Sequence, residues 1–254
     1  MENKKEETVY YGLVGRVRVE GKSYKEFTLN YLKELVNQYK NIDLKDRLKA
    51  YIQYFVDNFK YDKHERDRVI REYTTGSTET TDKNIEALFN FFYMGSGVCQ
   101  QFSQALALIG NIDKDFIQNN IYVHYAECEI IKDIEAGHAV NIVNNNGQIS
   151  IADISSMVHA KDGDYKQEVW SFGLVSQEKY IENINEEGMD IIPSNKDINE
   201  VYMVKYKVNT DLEAYHLILN LDRSELNKND GQLFKAIAVP HHVKYIEQEK
   251  NPEI

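Results

Sequence analysis

Hydrophobic positions recur every three or four residues in two early stretches, SYKEFTLNYLKELVNQYK (23–40) and DLKDRLKAYIQYFVDNFKY (43–61), and each spacing predicts an amphipathic helix. The polar run TTGSTETTD (74–82) reads as a loop, with Asp82 placed to cap a third helix over KNIEALFNFFYM. A Gly-Ser-Gly turn at 95–97 precedes a fourth helix, which starts at Cys99 and stops near Gly110. The period then changes from helical to alternating. Residues 120–131, 138–144 and 148–154 read as strands and 176–186 as a helix, and VYMVKYKV (201–208) and AYHLILNL (214–221) read as further strands of the same sheet. Helices first and strands after predict an α+β chain, with N-terminal helices packed on one face of a mainly antiparallel sheet. No internal repeat or domain boundary interrupts the pattern.

Charge removes some functions. Among 254 residues, 41 acidic and 30 basic side chains give a net charge of −11, which repels phosphate backbones. No basic patch with interleaved aromatics offsets this, so nucleic acid is not an expected partner. The opening MENKKEETVYYG lacks the apolar core of a targeting signal, and no stretch approaches the length of a membrane span. The expectation is a soluble, cytoplasmic protein without membrane association, with secretion or delivery to a host as the open alternative. The 18 tyrosines suggest a broad core or an amphipathic binding surface.

The two cysteines form no disulfide framework and no CxxC pair. Cys128 shares a strand face with Tyr122, His124 and Ala126 and reads as a half-buried strand residue. His241 and His242 are adjacent, point to opposite faces of a strand and cannot readily chelate one metal. Gly95 and Gly97 are not followed by Lys-Ser/Thr, so they form no phosphate loop. No metal or other cofactor is expected.

Cys99 has different neighbours. It opens a helix, whose N-terminus carries unpaired N–H groups and about half a positive charge, a setting that favours thiolate. Phe102, Leu106 and Ile109 follow on the same stripe, which turns the sulfur inward, while Gly95 and Gly97 leave room for a substrate chain beside it. A thiolate nucleophile needs a base and a group to orient that base. GHAVNIVNNNGQISIADIS (137–155) supplies both, because NNNG is a hairpin signal. A loop centred on Asn145-Asn146 sets His138 directly opposite Asp153; a turn at Asn146-Gly147 makes them diagonal neighbours. Either register puts the two on one face with Val140, Ile142, Ile149 and Ile151, the face expected to pack on the Cys99 helix. His124 and His159 are competing candidates for the base.

GSGVCQQFSQAL followed by GHAVNIVNNNGQISIADIS resembles the core of the transglutaminase-like superfamily, papain-fold enzymes with a Cys–His–Asp triad. The upstream YIQYFVDNFKYD is similar to the helix that precedes the cysteine in such domains. The chain departs from the family's usual residues at Gln101, Val140 and Ile149-Ser150. The resemblance implies one domain over 1–254, with a core at about 45–155, an N-terminal helical extension and a C-terminal β extension. It implies Cys99 as nucleophile, His138 as general base and acid, and Asp153 as the orienting carboxylate. The reaction would be acyl transfer from an amide of a protein or peptide substrate through a thioester, resolved by water (protease or deamidase) or by an amine (transglutaminase). The Cys99 N–H would hold the oxyanion, with Gln53 and Tyr61 as candidates for a second donor. The alternatives are a catalytically silent protein-binding scaffold and an effector acting on a host protein.

Overall fold

In the computed structural model of the chain, the structure describes residues 9–14, 17–74, 81–131, 135–191, 202–205, 211, 215, 218–219 and 235–238. A hairpin of β1 (Tyr10–Val14) and β2 (Val17–Gly21) leads into α1 (Tyr24–Tyr39), whose first turn is capped by the Ser23 hydroxyl accepting from the Glu26 N–H. Next come α2 (Leu44–Asn58), capped by Asp43, β3 (Lys60–Tyr61), α3 (Lys63–Thr74) and α4 (Thr81–Met94). Because α4 begins at Thr81, Asp82 lies inside its first turn and does not serve as the N-cap.

The short β4 (Ser96–Gly97) pairs in parallel with β3, and α5 (Cys99–Ile112) starts immediately after it. Every residue of α5 from Gln101 to Ile112 is buried, so the one-sided stripe expected of this helix is corrected to burial all round. The reason is its position, between α1, α2 and α4 on one side and the sheet on the other. Each large apolar side chain it buries, such as Phe102 or Leu106, stabilises the fold by about 1.5–3 kcal/mol.

After α6 (Lys114–Gln118) come β5 (Ile121–Ile131), β6 (Glu135–Asn145) and β7 (Gln148–Ala152). They are followed by α7 (Ile154–Lys161), a 3₁₀ turn (Val169–Phe172), β8 (Gly173–Val175), α8 (Gln177–Glu186) and β9 (Asp190–Ile191). β10 (Tyr202–Lys205) and β11 (Lys235–Ala238) complete the described strands. The main sheet runs β10-β11-β5-β6-β7-β8, with β9 also on β5, and only the β10–β11 pair is parallel. The architecture is α+β with a mainly antiparallel sheet.

The extensions differ from expectation. The N-terminal one opens with a β-hairpin, and the C-terminal one carries helix as well as strand. Tyr215, Ile218 and Leu219, expected in a strand, are helical and buried. Residues 206–208, His241 and His242 lie outside the described residues, as does most of the 74–82 run. Among the described residues, no helix is long and apolar enough to cross a membrane.

Candidate active site

The segment before Cys99 is fixed by backbone bonding. Lys60 N–H donates to the Gly95 carbonyl (3.0 Å) and Asp62 N–H to that of Gly97 (2.9 Å), which ties this segment to the strand carrying Tyr61. Gly95 takes the left-handed φ of 71°. At Gly97 a Cβ would stand 2.6 Å from the Phe91 ring, so the absent side chain admits Phe91, not the substrate chain anticipated there. Val98 occupies the N-cap of α5 and has no side chain able to cap it. Gln101 Oε1 instead accepts from the Val98 N–H at 3.0 Å. Cys99 is half-buried at the start of α5, beside N–H groups that the helix itself leaves open.

The β6–β7 hairpin turns at Asn146-Gly147, both with positive φ (51° and 92°), the preferred geometry for a two-residue loop. Of the two registers, this is the diagonal one. The ladder ends at Asn141↔Ala152, so His138 lies beyond the last pair, where the chain turns away through Asp153 into α7. Asp153 is thus the N-cap of a helix and not a strand residue. The face toward α5 is also the opposite of the one expected. Asn141 donates to the Ser103 carbonyl of α5 (2.8 Å), and Gly110 of α5 sits so close to Val123, the register partner of Val143, that a Cβ there would fall 2.6 Å from it. The helix therefore packs on the side of Val123, Asn141 and Val143, and a polar asparagine is accommodated because a backbone carbonyl accepts from it.

Asp153 and His138 meet at this open end. His138 Nε2 donates to Asp153 Oδ2 at 2.7 Å, and the side chains are 17% and 0% exposed. Oδ2 also accepts from Ser156 Oγ (2.6 Å) and the Tyr180 hydroxyl (2.8 Å). Oδ1 accepts from Ser155 Oγ (2.8 Å) and from the Ser156 N–H (3.0 Å), the latter being the helix cap. Five donors saturate the lone pairs of an ionised carboxylate. Burial would raise the Asp153 pKa, but the His138 charge and these bonds outweigh it and hold the group well below the usual carboxylate range. For His138, burial favours the neutral ring. Asp153 and Cys99 reverse that preference and lift the imidazole well above its ordinary value. With Nε2 committed to Asp153, Nδ1 is the ring nitrogen left for Cys99, whose side chain acts on the imidazole.

The other residues singled out by sequence separate clearly. Gln53 donates along α2 to Asp57 (2.7 Å), on an exposed surface. Tyr61 stands beside Cys99: burial first, and then the Cys99 charge, push its phenol upward, so it stays a proton donor. His159 lies against Tyr61 (ring centroids 4.2 Å apart) and Tyr165 (5.1 Å), and its Nδ1 bonds Asp164 at 2.9 Å. His124 and Cys128 are buried in β5, with Cys128 directly opposite His138 in register. Lys161, in the last turn of α7, donates to the Val56 carbonyl (2.6 Å) near the end of α2, which binds the Asp153 helix to the segment leading to Tyr61.

No protein-family model and no curated protein matches the chain. Among solved structures it is similar to a TGase, at 15% identity over 70% of this chain and 38% of that one, with a TM-score of 0.38. It is also similar to a proposed cysteine protease from Cytophaga hutchinsonii, at 15% identity over 67% of this chain and 48% of that one, with a TM-score of 0.36. The chain thus spans less than half the length of either structure.

Ser155, Ser156 and Tyr180 were not anticipated from sequence. Asp153 followed by the apolar-periodic ISSMV carries the signature of a helix N-cap, and that signal would have drawn both serines into the site. Nothing local to Tyr180 marks it.

Proposed function

We propose that this chain is a cysteine-dependent acyl-transfer enzyme with a transglutaminase-like, papain-like core. Cys99 is the nucleophile, His138 the general acid and base, and Asp153 the group that orients the imidazole. The observation that carries the reading is the His138–Asp153 bond at 2.7 Å, made by a carboxylate saturated with donors, with the Cys99 side chain also acting on the imidazole. The Cys99 sulfur attacks the carbonyl carbon of a backbone or Gln/Asn side-chain amide. The C–N bond breaks, and the imidazolium gives its proton to the departing nitrogen, leaving a thioester. Water or a primary amine then attacks that carbon, its proton passes to His138, and the thiolate leaves. The Cys99 N–H and the Tyr61 hydroxyl hold the oxyanion, a role for which Tyr61 is better supported than Gln53 because Gln53 is engaged on the surface.

The test is an assay for ammonia or new amine released from glutamine-containing peptides, run with and without an added primary amine. Turnover that disappears in Cys99→Ala supports the reading. Folded wild-type protein that turns over no amide, yet binds a protein partner equally well with and without the thiol, replaces it with the scaffold alternative.

A further inference from the structure

Tyr180 reaches Asp153 from α8, 27 residues further along the chain. Its ring is completely buried, and a phenylalanine would fill nearly the same volume, so packing alone does not account for the hydroxyl. That hydroxyl donates to Oδ2, the oxygen that also accepts from His138 and Ser156. Donors on one carboxylate oxygen compete, and each draws negative charge away from what the others experience.

We infer that Tyr180, supported by Ser156, is a positioning residue that aims Oδ2 at His138 and moderates the charge the imidazole meets, so setting how readily the imidazolium gives up its proton. The need is chemical. A buried carboxylate at 2.7 Å already lifts the imidazole well above its ordinary value, whereas a general acid and base works best with a pKa near the working pH. Each additional donor on Oδ2 brings it back toward that range. The other titratable groups around the pair are Cys99 from α5, Cys128 from β5, Tyr61 from β3 and Tyr165 from the segment after α7. Arg66 acts on Tyr61, and Asp164 and Glu187 act on Tyr165, one layer further out.

The consequence for turnover rests on the acyl-transfer reading, but the effect on His138 is measurable without any substrate. In histidine-labelled protein, the His138 ring is followed by ¹⁵N NMR across pH and identified among the seven histidines by its loss in His138→Gln. Tyr180→Phe should raise the titration midpoint by about 0.5 pH unit or more, because one charge-assisted bond is removed from the competing oxygen. The alkaline limb of kcat/KM should move with it. A purely structural hydroxyl would lower the melting temperature and leave the midpoint in place. An unchanged or lowered midpoint in folded Tyr180→Phe overturns the inference. If that variant does not fold, Ser156→Ala removes another donor from the same oxygen and decides in the same way. A moved midpoint without any amide turnover leaves the inference standing and sinks the acyl-transfer reading; normal turnover with a fixed midpoint does the reverse.

Discussion

Asp113 and Asp153 lie at opposite ends of α5. Both are buried, both cap a short helix, and both accept a tyrosine hydroxyl: Tyr51 donates to Asp113 (2.9 Å) and Tyr180 to Asp153 (2.8 Å). They part in the choice of cation. Arg47 donates to Asp113 (3.1 Å), to Asp115 (2.7 Å) and to the carbonyls of Lys40 and Ile42 (2.8 and 3.2 Å), so its guanidinium is enclosed by acceptors and stays charged at any working pH. His138 spends one nitrogen on Asp153 and leaves the other for Cys99. The same local device is a fixed clamp where the cation cannot release a proton and a proton-exchanging pair where it can.

The largest test separates the two ends by what each controls. His138→Ala should reduce amide turnover by at least about 10³-fold, as should Cys99→Ala, because members of such a unit fail together. Arg47→Ala should leave kcat/KM of the folded fraction within about twofold while destabilising the fold by roughly 3–5 kcal/mol in urea, since it strands a buried carboxylate. A comparable loss of turnover per folded molecule in Arg47→Ala would break the comparison.

A milder change tests charge against geometry. Asp153→Asn leaves one acceptor oxygen where the carboxylate has two, so it keeps the His138 bond only by giving up the N–H cap, and turnover should fall by less than in His138→Ala. A loss equal to that in His138→Ala would mean that the carboxylate charge itself is indispensable.

The smallest effect is in the pH dependence of stability. The His138 pKa is raised in the folded state, so its contribution is complete below about pH 6.5 and is lost as pH climbs through the raised value. The Asp153 pKa is depressed, so its contribution is complete above about pH 3.9 and is lost only as pH falls through the lowered value. Together they stabilise fully between roughly pH 4 and 6.5. Unfolding free energy should therefore decline above that window by up to about 1.4 kcal/mol per pH unit, and His138→Ala should flatten the decline. A slope that survives the substitution intact assigns the titration to another group.

Much of the candidate site was legible because its determinants are local. A helix start marks Cys99, and with a two- or four-residue loop the hairpin signal puts His138 and Asp153 on one face in either of two registers. What escaped depends on tertiary contacts. The face of β6 that meets α5 was misjudged because Asn141 looks like a surface residue until the Ser103 carbonyl accepts from it. Tyr215, Ile218 and Leu219 fit helical spacing, but Tyr215, Leu217 and Leu219 alternate equally well, and so short an apolar run does not choose between them. Tyr180 was invisible because only packing brings α8 to Asp153.

Chain order gives that last contact a meaning for synthesis. Cys99 leaves the ribosome after Tyr61 but ahead of His138, Asp153 and Tyr180, so the thiol is made before the imidazole and the carboxylate that holds it. A nascent chain halted before β6 has no His138 to set beside Cys99, and one halted before α8 leaves Asp153 without its phenol. The arrangement of Cys99, His138 and Asp153 can therefore assemble only late in synthesis, and the Tyr180 contact comes last of all.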